Sequence, residues 1–206
     1  MNRLRKLVLA AGSVLLGNAV HAQGGEPGGA TPTADLREFS QQRYNHTKTL
    51  GLTLGGYALA NVAVSGLALG NASGETRYFH QMNVYWNLVN LGIAGVGLLG
   101  LRKENPQTET LGEAVRKQES IKRTLAFNAG LDVAYIMGGL YLMNRGETKP
   151  DQRDKFRGFG KAVIAQGGFL LVFDAVNFLI FKQRGDAKQL KLIGQGPMGV
   201  GMQMTF

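Results

Sequence analysis

Cysteine is absent from the 206 residues, which removes disulfides, thiolate nucleophiles and cysteine-ligated metals from consideration. All stability must then come from packing and hydrogen bonds. Charge is nearly missing from four long stretches, about residues 51–70, 84–101, 124–143 and 162–181, where Asp132 and Asp174 are the sole charged side chains. A soluble amphipathic helix carries a charged stripe along one face; these segments have none. No Ser-His-Asp arrangement and no paired-histidine metal spacing occurs. Gly158-Phe159-Gly160 falls short of a phosphate-binding fingerprint, because it lacks both a preceding strand and a third glycine. The sequence therefore points to no catalysis, no cofactor and no metal, and the expectation is a protein that is not an enzyme.

What is present is apolar length. Each of the four stretches is about twenty residues, and at about 1.5 Å rise per residue each can cross a hydrocarbon core about 30 Å thick. Mean hydropathy over the whole chain is only −0.07, because the polar residues gather outside these segments. The expected fold is all-α: a four-transmembrane-helix bundle over residues 34–182, followed by a polar C-terminal tail, 183–206. In that tail Val200, Met202, Met204 and Phe206 alternate with smaller or polar residues, as in a short extended hairpin. Lys and Arg outnumber Asp and Glu by 23 to 14. The basic residues flank apolar segments instead of forming one patch interleaved with aromatics, which favours anionic lipid headgroups over nucleic acid as the partner.

Residues 1–22 read as a secretory signal: Arg3, Arg5 and Lys6, an apolar run from Leu7 to Leu16, then Val20-His21-Ala22. Small residues at these positions suit cleavage after Ala22. Residues 23–33, rich in Gly, Pro and Thr, then form a flexible exported N-terminus. That leader places the connections at 71–80 and 144–160 in the cytoplasm and the protein in an inner (cytoplasmic) membrane. Charge counting opposes this orientation. Arg102, Lys103, Arg116, Lys117, Lys122 and Arg123 sit on the supposedly outer side. The leader is given precedence.

Thr33 or Asp35 can cap a first helix over about 34–70, with Leu36, Phe39, Arg43, His46 and Leu50 at helical spacing. A third helix from about Glu109 to Met143 carries Leu111, Val115, Gln118, Ile121 and Leu125 in similar register, with Pro106 harmlessly ahead of it. Both helices are expected to project beyond the bilayer on one side and to pack there. Asp151–Gly160 is expected to be a solvated loop. Gly66–Thr76 resembles Gly139–Thr148, and Trp86-Asn87-Leu88-Val89-Asn90 resembles Phe173-Asp174-Ala175-Val176-Asn177, so two similar helical hairpins are expected, related by an axis along the membrane normal.

Asp132 and Asp174 fall near mid-bilayer on adjacent antiparallel helices. A charged Asp there costs about 2.5–3.5 kcal/mol on insertion scales, so each needs a partner or a proton. Asn61, Asn87, Asn90, Asn128, Gln166 and Asn177 complete an expected intramembrane polar belt. Two readings of it stand open: hydrogen bonding that fixes helix register, or a site that handles protons or cations. Small residues (Gly56, Ala60 and Val64; Gly66 and Gly70; Ala134 and Gly138) suit close helix approach, within the bundle or in a homo-oligomer. His46 and His80 precede different spans and lie near opposite faces, which does not suit bis-histidine haem ligation. In the stretch Arg77–Asn90, Tyr78, His80, Tyr85 and Trp86 fit an interfacial belt contacting lipid or another subunit.

The stretch Arg77–Asn90, together with Gln166–Asp174 (Gln-Gly-Gly-Phe-Leu-Leu-Val-Phe-Asp), resembles uncharacterised four-helix membrane proteins with secretory leaders, of a Bacteroidota type. The resemblance implies a membrane location and brings no assigned activity. The function expected is that of a structural or interaction protein of the bacterial envelope; partners are membrane lipids and either a second copy or another envelope protein. A small proton- or cation-handling permeation protein is the alternative.

Overall fold

A computed structural model describes residues 32–194, which form four long helices and one short turn of 3-10 helix. The leader, most of the exported N-terminus and the alternating segment from Val200 to Phe206 lie outside these residues. Helix α1 runs Ala34–Ala68, α2 Gly74–Leu101, α3 Leu111–Glu147 and α4 Arg153–Gly194. All four are long and apolar enough to cross a membrane. Even α2, at 28 residues, spans about 42 Å at 1.5 Å per residue.

The ends of the helices follow from local chemistry. Thr33 is the N-cap of α1, its hydroxyl accepting from the Leu36 amide at 3.2 Å. Thr110 and Glu113 form a reciprocal capping box on α3, which satisfies two amides that a helix start leaves unpaired. Between α1 and α2 the chain reverses through Gly74 at φ +53°, a conformation that L side chains rarely adopt.

Two expected boundaries are corrected. The expected loop at 151–160 is almost wholly helical: α3 continues to Glu147, a 3-10 turn occupies Pro150–Gln152, and α4 is helical from Arg153 onward. Likewise α4 does not stop at Phe181 but extends to Gly194. Mixed charge and glycine suggested a loop at 151–160, yet these glycines are packing positions inside a helix. A Cβ at Gly160 would stand 2.5 Å from the Gly139 carbonyl oxygen, and one at Gly139 would stand 2.7 Å from that of Gly160. Gly158 lies equally close to Glu75 and Tyr78 of α2. The backbones approach where only hydrogen fits.

Helix α3 packs most extensively on α4, α1 on α2, and α2 on α4. The bundle order around its axis is therefore α1–α2–α4–α3. The projecting ends of α1 and α3 meet as expected, through Leu36, Phe39, Leu111 and Ala114. Gly56 and Gly66 of α1 have nothing within 4 Å of a built Cβ, nor has Gly138 on α3, whereas Gly51 and Gly55 meet Leu98 and Ala94 of α2, and Ala58 and Ser65 are buried. The two similar sequence stretches also differ in local structure. Gly66–Thr76 spans the turn between α1 and α2, whereas Gly139–Thr148 lies within α3 up to its C-cap.

The distribution of side chains is inverted relative to a water-soluble bundle. Leu59, Val64, Leu67, Val96, Phe127, Met137, Val172 and Leu179 are exposed along the apolar stretches of the helices. Asn83, Asn87, Asn90, Gln166, Asp132 and Asp174 are buried between them.

Candidate functional site

The buried polar groups fall into layers along the bundle axis. Toward the α2 start, the Tyr57 hydroxyl of α1 donates to Gln166 Oε1 at 3.1 Å, and Gln166 Nε2 of α4 donates to Asn83 Oδ1 of α2 at 2.8 Å. Asn87 Nδ2 donates to the Asn83 carbonyl, and Asn90 Nδ2 to Asn87 Oδ1. Tyr57 also stacks on Phe169 with ring centroids 3.5 Å apart. One continuous network thus ties three helices together without a formal charge. Asn61 adds nothing between helices; its amide donates to the Tyr57 carbonyl of its own helix.

One step along, Asp174 of α4 neighbours Asn128 and Asp132, which sit four residues apart on α3. Asp132 is 2% exposed and Asp174 6%. The two acids expected from depth along the helices to face each other thus lie side by side, with the Asn128 amide next to them. A hydrogen bond between two carboxyl groups requires a proton on one of them, because two carboxylates present only acceptors. The layer is not fully satisfied: Asp132 Oδ2 and Asn128 Oδ1 are buried with no hydrogen-bond partner. Native structures leave few such groups. Beyond it, His46 Nε2 of α1 lies 3.0 Å from Asn177 Oδ1 of α4, and the imidazole stacks on Phe181 at 4.4 Å. Asn177 Oδ1 can only accept, so Nε2 carries the hydrogen.

The four residues expected at an interface divide. Tyr85 is exposed, its hydroxyl accepting from Gln81 Nε2. The others turn inward: Tyr78 meets Phe159 edge-on, Trp86 meets Tyr135 edge-on, and His80 Nδ1 lies 3.3 Å from Ser65 Oγ. Tyr78 and Trp86 join Met82, Phe159, Ala162 and Val163 in an apolar cluster. Helical spacing at 78, 82 and 86 carries this signal, one face repeating every four residues.

Two ionic clusters outside the apolar segments were not legible in the sequence. Arg43, 4% exposed, donates through Nη2 to both carboxylate oxygens of Glu109 at 2.6 and 2.8 Å. Lys117 Nζ bridges Glu104 and Glu109 at 3.0 and 2.7 Å. Burial works against ionisation of the Glu109 carboxyl, but Lys117 and Arg43 outweigh it and hold the group below its ordinary value. At the opposite end Glu75 pairs with Arg157 and Lys161, and Glu147 with Arg153 and Arg157.

A bundle with apolar exteriors, a polar interior and ionic clusters at both ends is a helical protein of membrane-spanning dimensions. The chain belongs to a family of unknown function, DUF6992, whose model matches residues 53–175. That span contains Tyr57, Asn83, Asn128, Asp132, Gln166 and Asp174; His46 and Asn177 lie beyond its ends. No curated protein and no solved structure matches the chain.

Proposed function

We propose that this chain is a non-enzymatic, multi-pass protein of a bacterial inner (cytoplasmic) membrane, its N-terminus exported after signal cleavage, acting as a structural or interaction component of the envelope. The observation that carries this reading is the inverted distribution of side chains. Exposed Leu, Val, Met and Phe around the bundle suit acyl chains, while Asn, Gln and Asp are sheltered from them. In hydrocarbon an unpaired polar group costs several kcal/mol, so such groups belong inside. The Tyr57–Gln166–Asn83 network and the two ionic clusters hold the helices in one arrangement, as a platform for lipids, a second copy or another envelope protein requires.

The test is extraction. After detergent-free lysis and an alkaline carbonate wash, the mature chain is expected in the membrane pellet, with its N-terminus accessible to protease only from the exported side. Recovery in the supernatant rejects the reading.

A second reading, proton handling at the Asp132–Asp174 pair, is favoured by the orphaned Asp132 Oδ2 and Asn128 Oδ1. Replacing each Asp by Asn separates the two. A platform keeps its assembly and its cellular role, whereas a proton site loses a pH-dependent activity.

A further inference from the structure

We infer that the Asp132–Asp174 pair is a proton-binding site that exchanges with water through His46, at the end of the bundle where α1 begins, and not through the His80 end. This inference rests on the second reading above.

Hydrogen bonding between helices does not by itself call for acids. The neighbouring layer achieves it with Tyr57, Gln166, Asn83 and Asn87, all neutral. What a carboxyl pair adds is a titratable proton. No cation among the described residues contributes to either group; the titratable side chains around them are each other and Tyr135. Two ionised carboxylates in contact repel, so the pair retains one proton and can take up a second. The buried Asp132 Oδ2, without a donor, is an acceptor free for that second proton.

The two ends of the bundle differ in what lies between this pair and water. Toward the His80 end, Met82, Phe159, Ala162 and Val163 pack with Trp86 and Tyr135 into an apolar plug. The Gly139–Gly160 contact closes the α3–α4 seam there. Toward the other end, Asn177 follows Asp174 by one turn of α4 and holds His46. His46 in turn lines a cavity of about 20 Å³. A single water needs about 10–15 Å³ of such space. Facing His46 across that cavity are Arg43 and Gln42 on α1, Gln118 on α3, and Arg184 and Lys188 on α4. Arg43 is neutralised by Glu109 and Glu104, and Lys188 pairs with Glu38. Arg184 and Gln42 open outward.

The transfer balances simply. Hydronium from bulk water reaching the cavity gives a proton to His46 Nδ1 and leaves as water, and the imidazolium releases its Nε2 proton inward once the Asn177 amide swings aside. A carboxylate becomes a carboxylic acid, the imidazole is left neutral with its hydrogen on Nδ1, and tautomer exchange through cavity water restores the Nε2–H form.

The experiment is infrared spectroscopy of the full mature chain in lipid nanodiscs, following the carboxylic C=O band through a pH titration and its exchange rate in heavy water. The wild type is expected to show a titrating band that Asp132→Asn and Asp174→Asn each remove or shift. His46→Phe keeps a ring against Phe181 but cannot carry a proton; it should leave the band in place and slow exchange about 100-fold, the lower range for a positioned proton-transfer group. If that variant does not assemble, His46→Gln serves, since its amide can still donate to Asn177. No titrating carboxylic band overturns both the site and the reading beneath it. A titrating band whose exchange is as fast in the His46 variant as in wild type overturns the route alone and leaves the site standing.

Discussion

Arg43 and Glu109, at the end where α1 and α3 project, are as buried as the acids at mid-bundle, at 4% exposed each. There, however, each acid meets a cation: Glu109 has Arg43 and Lys117, and Glu104 has the same two. At mid-bundle Asp132 and Asp174 meet each other and an amide. The same residue type thus serves two ends. Near water, fixed opposite charges lock a loop to two helices. In the apolar zone neither acid has an ion-pair partner among the described residues, and on the proposal above a shared proton takes the place of the cation.

The contrast predicts a graded series of effects. Glu109→Ala leaves the Arg43 guanidinium buried without its main partner, and losing one member of a buried ion pair costs about 3–5 kcal/mol. Thermal unfolding in detergent should show a large drop, and a wild-type midpoint would remove the distinction between the two clusters. Acidity should act on the same cluster. The Glu109 carboxyl is held below its ordinary value in the folded protein, so its contribution is complete above about pH 4.5. It is then lost as pH falls through the folded value. Unfolding midpoints followed downward from pH 6 should fall in the wild type and flatten in Glu109→Gln.

Smaller effects belong to the neutral layer. Gln166→Leu strands the Tyr57 hydroxyl and Asn83 Oδ1, for which about 1–3 kcal/mol is typical. The same unfolding assay reads this loss, and Tyr57→Phe in the Leu background should restore part of it. Smallest of all is the carboxyl pair. Asp132→Asn with Asp174→Asn keeps side chains that can hydrogen-bond and removes the need for a proton, so stability should change by about 0.6 kcal/mol or less, the scale of one interhelical hydrogen bond in a membrane. A loss as large as that of Glu109→Ala would mean that the acids are there for stability.

The four helices were legible because hydrophobic length is a local property. The contact between Asp132 and Asp174 was legible because rise per residue gives depth. Helix rotation was harder. Gly56, Ala60 and Val64 carry suitable spacing yet face outward, while Gly158 and Gly160, read as loop residues, make the close contacts. Spacing shows that residues share a face but not which neighbour that face meets. Asn83 and Tyr57 escaped notice for a related reason: one sits among aromatics that suggested an interface, and the other is joined to Gln166 across 109 positions. The Arg43–Glu109 pair spans 66 positions and involves a loop acid, and no local pattern announces such a partner.

The reciprocal glycine contact between α3 and α4 has a bearing on an acid two to four turns away. Because Gly139 and Gly160 each face the other's carbonyl, α4 cannot slide along α3 without setting Phe159 or Lys161 against that backbone. A slip of one residue would rotate every side chain of α4 by about 100°, turning Asp174 from its partners toward the acyl chains. Two hydrogen atoms in place of side chains thus act as a latch on the rotation of the whole fourth helix.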